Sequence, residues 1–306
     1  MKIEDIRRVL ILGAGTMGQQ IAHHCAMHGY EVVLYDISTE ILEKSLKRIG
    51  KLSSWFVSMG KITEEQSGEI MRRITATDDP AQAARDVDFV SESVPEDPVL
   101  KGKVFGQFNT LCPDRTVFTT NTSMLVPSMF AQETGRPEKF AALHFHDVRI
   151  SNVVDVMPHP GTAKDVITLV HDFARSIGQI VIMLHRESNG YVFNTMLSSL
   201  FFSALTLASK DVASIEDVDR SWMGIMHTPI GPFGIMDQVG LSTVWTITSY
   251  WAQKTGDPQA QANADFLKQY VDRGHLGFKT KRGFYSYPNP VYAEQGFLSG
   301  ETKTRG

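Results

Sequence analysis

The 306-residue chain has only two cysteines, Cys25 and Cys112. Two cysteines cannot make a disulfide scaffold, and they fit a reducing cytosol. The chain also lacks any block of Lys or Arg: 30 basic residues against 34 acidic ones leave a formal charge of -4. That mildly acidic balance gives no electrostatic footprint for nucleic acid or an anionic membrane, so a small molecule is the expected partner. No export signal is read at the N-terminus, because the apolar run Val9 to Leu12 stops at Gly13, short of the roughly 7–15 residues of a signal-peptide core. Charge is absent from Ser188 to Ser209, a length that on paper could span a bilayer, which takes about 20 apolar residues. Asn189, Asn194, Thr195, Ser198, Ser199 and Ser203 stud that stretch, while Val192, Met196, Leu200 and Leu207 fall near helical spacing. It is predicted to be a buried core or subunit-contact helix.

What the chain has in plenty is alternation. Short apolar, β-rich runs recur at Val9–Leu12, Glu31–Tyr35, Asp88–Val94, Thr116–Thr120, Phe140–Leu143, Val153–Met157 and Ile180–Leu184, with helix-forming stretches between them. Such alternation is the signature of βαβ units and a mostly parallel sheet. Thr63-Glu64-Glu65-Gln66 reads as a capping box opening a helix that runs through Arg72. After Leu184 the strand signals fade into helical stretches broken by turns such as Thr228-Pro229-Ile230-Gly231-Pro232. Two domains are expected, an α/β doubly wound one over residues 1–186 and an all-helical one over 187–306.

Val9-Leu10-Ile11-Leu12-Gly13-Ala14-Gly15-Thr16-Met17-Gly18 is a buried strand running into G-x-G-x-x-G, after which Gln19 to His28 forms a helix closed by Gly29. Glycines suit a tight turn, close approach of backbone to a pyrophosphate, and packing of helix on strand, while the helix N-terminus around Thr16 and Met17 offers amides to phosphate. A second strand ends at Asp36, 18 residues beyond Gly18, where a carboxylate accepts hydrogen bonds from ribose hydroxyls. That acid would repel a 2′-phosphate, and Ile37-Ser38-Thr39 supply no base to bind one. A Rossmann-type domain binding NAD rather than NADP is expected.

Alcohol oxidation by nicotinamide needs a base for the hydroxyl proton, a group that positions it, and polar contacts for the oxygen. Candidates should lie just beyond the carboxyl ends of the parallel strands. His144 follows the strand Phe140–Leu143, Asp155 lies in the next strand-like run, and Ser123 follows the run ending at Thr120. A carboxylate beside an imidazole raises its pKa and fixes its tautomer, which suits it to proton transfer near neutral pH. A histidine at a strand end also has a plain structural reading as a satisfied polar residue.

Asn121-Thr122-Ser123, Leu143-His144-Phe145, Val154-Asp155-Val156, Gly190-Tyr191-Val192-Phe193-Asn194, Ile230-Gly231-Pro232-Phe233 and Gly283-Phe284-Tyr285 occur in this order. In order and spacing they resemble the 3-hydroxyacyl-CoA dehydrogenase family, from Arg8 to about Tyr287. The resemblance implies that His144 is the general base, that Ser123 hydrogen-bonds substrate oxygen beside the cofactor, and that Asn194 helps hold the substrate carbonyl end. It further implies that Glu96 and Lys101 contact the nicotinamide side of NAD, that Lys279 reaches NAD, and that the helical half closes the cleft and forms a homodimer.

The chain departs from that pattern at three places. Where the family usually has His-Phe-Phe-Asn-Pro, this sequence reads His144-Phe145-His146-Asp147-Val148, so a nicotinamide-contacting asparagine becomes Asp147. The acid partner is Asp155 instead of a glutamate, one methylene or about 1.5 Å shorter in reach. The lysine cluster that meets the CoA phosphates is replaced by Gly50 to Met59, for which Lys47, Arg48, Lys51 and Lys61 substitute in part. Phe145-His146-Asp147-Val148 with Asn152 is closer to the loop of diketoreductase, a relative that, like L-gulonate dehydrogenase, acts on small 3-hydroxy compounds without CoA. The expected function is therefore NAD-dependent oxidation of a 3-hydroxyacyl-CoA, with a CoA-independent reductase of small 3-oxo acids or esters and a non-catalytic NAD-binding protein as the alternatives.

No metal is expected. His24 and His28 have i, i+4 spacing but lack a following glutamate in the zinc-protease manner. His146 is expected to point to the face opposite His144, without a joint role.

Overall fold

The computed structural model describes residues 1–301. The chain divides into two compact units, Met1–Asn194 and Thr195 onward.

In the first unit the elements run β1 (Arg8–Leu12), α1 (Thr16–Met27), β2 (Glu31–Tyr35), α2 (Thr39–Ser58), α3 (Glu64–Arg72), β3 (Ile74–Thr77), α4 (Pro80–Ala84), β4 (Phe89–Glu92), α5 (Pro98–Asn109), β5 (Val117–Thr120), β6 (Phe140–Phe145), β7 (Val153–Pro158), α6 (Lys164–Ser176) and β8 (Ile180–Met183). The eight strands form one sheet in the order β3-β2-β1-β4-β5-β6-β7-β8. Every neighbouring pair is parallel except β6 with β7. Strand order reverses between β1 and β4, which is where an open α/β sheet leaves a crevice at its carboxyl edge.

Both faces of the sheet are covered, and period-two alternation sorts β1 between them. Val9 and Ile11 pack with Ile21, Ala22 and Cys25 of α1, whereas Leu10 and Leu12 pack with Phe105 and Phe108 of α5. The capping box at α3 forms in both directions, Thr63 accepting from the Gln66 amide and Gln66 from the Thr63 amide. Strand β3, Ile-Thr-Ala-Thr, carries no long apolar run and was not among the expected strands. Cys25 and Cys112 are buried and free, and burial pushes both thiols up to about 12, which leaves neither poised as a nucleophile.

The stretch from 188 to 209 yields α7 (Phe193–Ser209), with Phe201, Ala204 and Leu205 buried. Among the described residues no helix is long and apolar enough to cross a membrane. The second unit continues with α8 (Ile215–Met226), α9 (Pro232–Val239), α10 (Leu241–Thr255) and α11 (Pro258–Asp272). Its core joins Phe201, Leu205, Phe233, Met236, Leu241, Leu267 and Tyr285. Two buried carboxylates tie this core together. Asp219 of α8 accepts from the Phe233 and Gly234 amides at the start of α9 and from the Tyr285 hydroxyl. Asp237 accepts from the Phe284 and Tyr285 amides and the Tyr287 hydroxyl. A Cβ at Gly231 would come within 2.5 Å of Asp219, and one at Gly283 within 1.9 Å of Asp237. The Gly231-Pro232-Phe233 and Gly283-Phe284-Tyr285 motifs are thus the seats of these carboxylates.

Candidate active site

The glycine turn after β1 uses each glycine differently. Gly13 has φ +94°, and a Cβ there would lie 2.8 Å from the Ser93 carbonyl oxygen. At Gly18 a Cβ would lie 1.9 Å from the Gly13 oxygen, so only glycine lets α1 pack on the turn. Gly15 is exposed, and a Cβ there would meet nothing within 4 Å. It is the N-cap of α1 and makes no side-chain cap, so the first amides, including those of Thr16 and Met17, face an open space. Uncapped amides, a positive helix end and bare backbone fit a pyrophosphate.

Asp36 at the end of β2 accepts from the Ala14 amide at 2.9 Å and the Ser38 amide at 3.3 Å, which fixes its carboxylate beside the turn with lone pairs left for ribose hydroxyls. The residues present fit NAD.

β4 ends in Glu92, which sequence reasoning missed. It is fully buried and accepts from the Lys101 ammonium at 2.7 Å, the Val94 amide at 2.6 Å and the Thr120 hydroxyl at 2.6 Å. Burial raises its pKa, with Lys101 pulling the other way. Lys101 is also fully buried, reaching the Val94 carbonyl at 3.2 Å and Glu96 at 3.6 Å. Its charge pairs with Glu92 and steadies Glu96, the other residue expected on the nicotinamide side of NAD. Glu96, partly exposed, accepts from the Thr122 hydroxyl and from the Met124 amide at 3.3 Å. It thereby anchors the turn that carries Ser123.

β6 and β7 carry the central pair. In their antiparallel register His144 stands directly opposite Asp155, and directly opposed residues share a face. His144 Nδ1 lies 3.0 Å from Asp155 Oδ2, and Ser123 Oγ lies 3.2 Å from His144 Nε2. Asn121 accepts from the Phe145 amide at 2.9 Å, locking the end of β6 to the turn after β5. The Tyr191 ring packs on His144 with centroids 4.7 Å apart. Burial opposes ionisation of Asp155, but hydrogen bonds and charge from His144 and His146 outweigh it and hold the carboxyl at about 2.

His146 does not point away from His144. Positions 144 and 146 differ by one full pleat and so share a side. The His146 ring lies 4.6 Å from that of His144, with Nε2 3.3 Å from Asp155 Oδ2. The three ligand atoms lie within 4.8 Å of one another, a span that a metal set also has, but both nitrogens converge on one carboxylate oxygen.

Asp147 turns to Arg149, whose guanidinium grips both its oxygens and pushes its pKa down. Asp147, which stands where the resemblance places a nicotinamide-contacting asparagine, is thus held in an ion pair. Asn194 lies in the first turn of α7, next to Phe193, whose ring meets His146 at 5.8 Å. Lys279 is exposed on a 3-10 turn, Phe278–Thr280, of the second unit.

The model of the 3-hydroxyacyl-CoA dehydrogenase NAD-binding domain matches residues 8–188, and that of the family's C-terminal domain matches residues 190–287. A probable 3-hydroxybutyryl-CoA dehydrogenase of Bacillus subtilis is 30% identical over 92% of this chain and 98% of its own length. Among solved structures, a diketoreductase studied for dual catalysis of dicarbonyl compounds is 37% identical, covers 92% of this chain and 99% of its own, and superposes with a TM-score of 0.86. An (S)-3-hydroxybutyryl-CoA dehydrogenase from Ralstonia eutropha is 28% identical, covers 93% of this chain and 100% of its own, and has a TM-score of 0.84. The chain, an NAD-dependent oxidoreductase acting on CH–OH groups, belongs to the 3-hydroxyacyl-CoA dehydrogenase family.

Proposed function

We propose that the protein interconverts a 3-hydroxyacyl-CoA and its 3-oxo form, with His144 as the general base. The observation that carries the reading is the line Ser123 Oγ, His144, Asp155 at 3.2 and 3.0 Å, with Ser123 just beyond the carboxyl end of β5, His144 near the carboxyl end of β6 and Asp155 opposite it on β7. NAD, when bound, supplies the acceptor for the hydride leaving C3. Asp155 accepts a hydrogen bond from the Nδ1–H of His144, which leaves the Nε2 lone pair facing Ser123 and a substrate hydroxyl beside it. As C3 is oxidised, the hydroxyl proton passes to Nε2, and the imidazolium so formed rests on the Asp155 carboxylate. In reduction the same proton returns to the oxygen. Ser123 donates a hydrogen bond to the substrate oxygen, and Asn194 steadies the substrate carbonyl.

The CoA reading is supported by Lys47, Arg48 and Lys51, exposed within one turn of α2, where cations can meet phosphate. A second reading, a CoA-independent reductase of small 3-oxo acids or esters, is favoured by the 37% identity to diketoreductase and by the burial of Phe56 in the next turn of that helix. Comparing kcat/KM with NADH for acetoacetyl-CoA, free acetoacetate and a 3,5-dioxo ester separates them. The CoA reading requires at least about a hundredfold preference for the thioester, roughly the 3 kcal/mol that two or three phosphate contacts supply. Preference for the ester or free acid transfers the assignment to the second reading, and absence of turnover with all three removes both.

A further inference from the structure

We propose that His146 is a positioning residue for the acid-base pair: its Nε2–H holds Asp155 Oδ2 so that this short carboxylate stays aligned on His144. The inference rests on the proposed role of His144. It starts from reach. An aspartate opposite a histidine across an antiparallel pair has two side-chain torsions, and a single hydrogen bond to one oxygen leaves the carboxylate free to pivot about that contact. Here the same oxygen has two imidazole nitrogens around it, His144 Nδ1 at 3.0 Å and His146 Nε2 at 3.3 Å. The carboxylate therefore has two fixed points.

The second imidazole is itself held. Its ring meets His144 nearly edge-on at 4.6 Å and Phe193 at 5.8 Å with planes 88° apart. His146 is partly buried, 20% exposed at the side chain, whereas Asp155 is 2% exposed. An anion buried to that degree is stabilised by whatever polar groups converge on it, and the His146 Nε2 at 3.3 Å is one of two imidazole nitrogens that approach Oδ2. The neutral ring suffices for this role, because only an Nε2–H is required and no change of charge enters.

The test uses the full-length protein and three substitutions, His146→Phe, His146→Gln and Asp155→Asn. Glutamine places an N–H near the position of Nε2 and cannot titrate, whereas phenylalanine keeps the ring and removes the donor. With the best of the three substrates, His146→Phe is expected to lower kcat about tenfold, the scale of a misplaced catalytic group, with KM and NADH affinity unchanged. His146→Gln is expected to stay within about threefold of the parent, since it restores the donor. In 15N-histidine NMR of the parent, protons on His144 Nδ1 and His146 Nε2 should both be protected from exchange, and Asp155→Asn should move both signals.

Equal loss in the Gln and Phe variants, an unchanged kcat in the Phe variant, or a His146 signal indifferent to Asp155→Asn would each overturn the inference. If the Phe variant does not fold, the Gln variant and the Asp155→Asn spectrum still decide. If the parent turns over none of the substrates, the functional reading falls, while the spectra continue to test the shared carboxylate by themselves.

Discussion

A base works in a protein only if its free nitrogen is the right one, and in the role proposed for His144 that choice falls to Asp155. Burial would push the carboxyl up, yet hydrogen bonds and charge from the two imidazoles hold it at about 2, so it is an anion at any pH where a histidine can act as a base. The Nδ1–H donates to it, and in the proposed mechanism the imidazolium formed during turnover meets a full negative charge. Replacing His144 by Gln removes the proton acceptor while keeping a polar group of similar size. Turnover should fall by roughly a thousandfold, within the range general bases supply, with NADH affinity within about twofold of the parent because no part of the glycine turn or Asp36 is touched. Steady-state kinetics and fluorescence titration read the two quantities, and a variant that keeps its rate would move the base elsewhere. Ser123, His144 and Asp155 were legible because each follows or lies within a recognisable strand. Glu92 was not, since nothing in Phe89-Val90-Ser91-Glu92 distinguishes a solvated acid from one sealed against Lys101. A charged residue closing a short β-rich run, with a lysine nine positions on, was the only signal available.

Among the elements, α1 carries the least expected chemistry. His23 is fully buried, its ring stacks on Phe56 at 5.2 Å, and neither ring nitrogen has a hydrogen-bond partner among the described residues. His24 uses Nε2 on the Ile177 carbonyl at 2.7 Å. Burial, assisted by the neighbouring His28, pushes both down to about 4. The unfolded chain takes up these protons near pH 6.5 and the folded one only near pH 4, so between those values the unfolded state binds more protons and stability falls as the pH is lowered. His23→Leu removes one such site. Its stability relative to the parent should improve by about 2 kcal/mol on going from pH 7.5 to 4.5, measured by urea unfolding at the two pH values. A pH-independent difference would mean that His23 is not held neutral. The helix itself was legible from its glycine turn, but the i, i+4 histidines were weighed only as metal ligands. In contrast, β3 escaped because four residues alternating with threonine barely exceed the background, and its pairing with β2 supplies what its composition does not.

For the whole molecule, the second unit leaves apolar side chains on its surface, among them Leu207 at 39%, Ile225 at 74% and Met226 at 54% exposure, which line one cavity with Leu200 and Trp222. Isolated exposed apolar residues are ordinary, but a cluster marks an association surface. We propose a homodimer through this face. Light scattering should return twice the 34.1 kDa chain mass, and Ile225→Asp should halve it; a monomeric parent would refute the assignment. The α/β and all-helical halves were readable from where strand signals stop. The reversal at β7 was not anticipated, although the segment 146–152 is shorter than the dozen or so residues that a parallel crossover requires. That reversal has a consequence for how the enzyme can change. Base, acid and second imidazole all sit on one hairpin, so cross-strand register alone assembles them, whatever surrounds it. The turns after β1 and β5 and the exposed face of α2 can then be rewritten for a new substrate without retuning the proton-transfer machinery, a separation that would let one family serve thioesters and free dicarbonyl compounds alike.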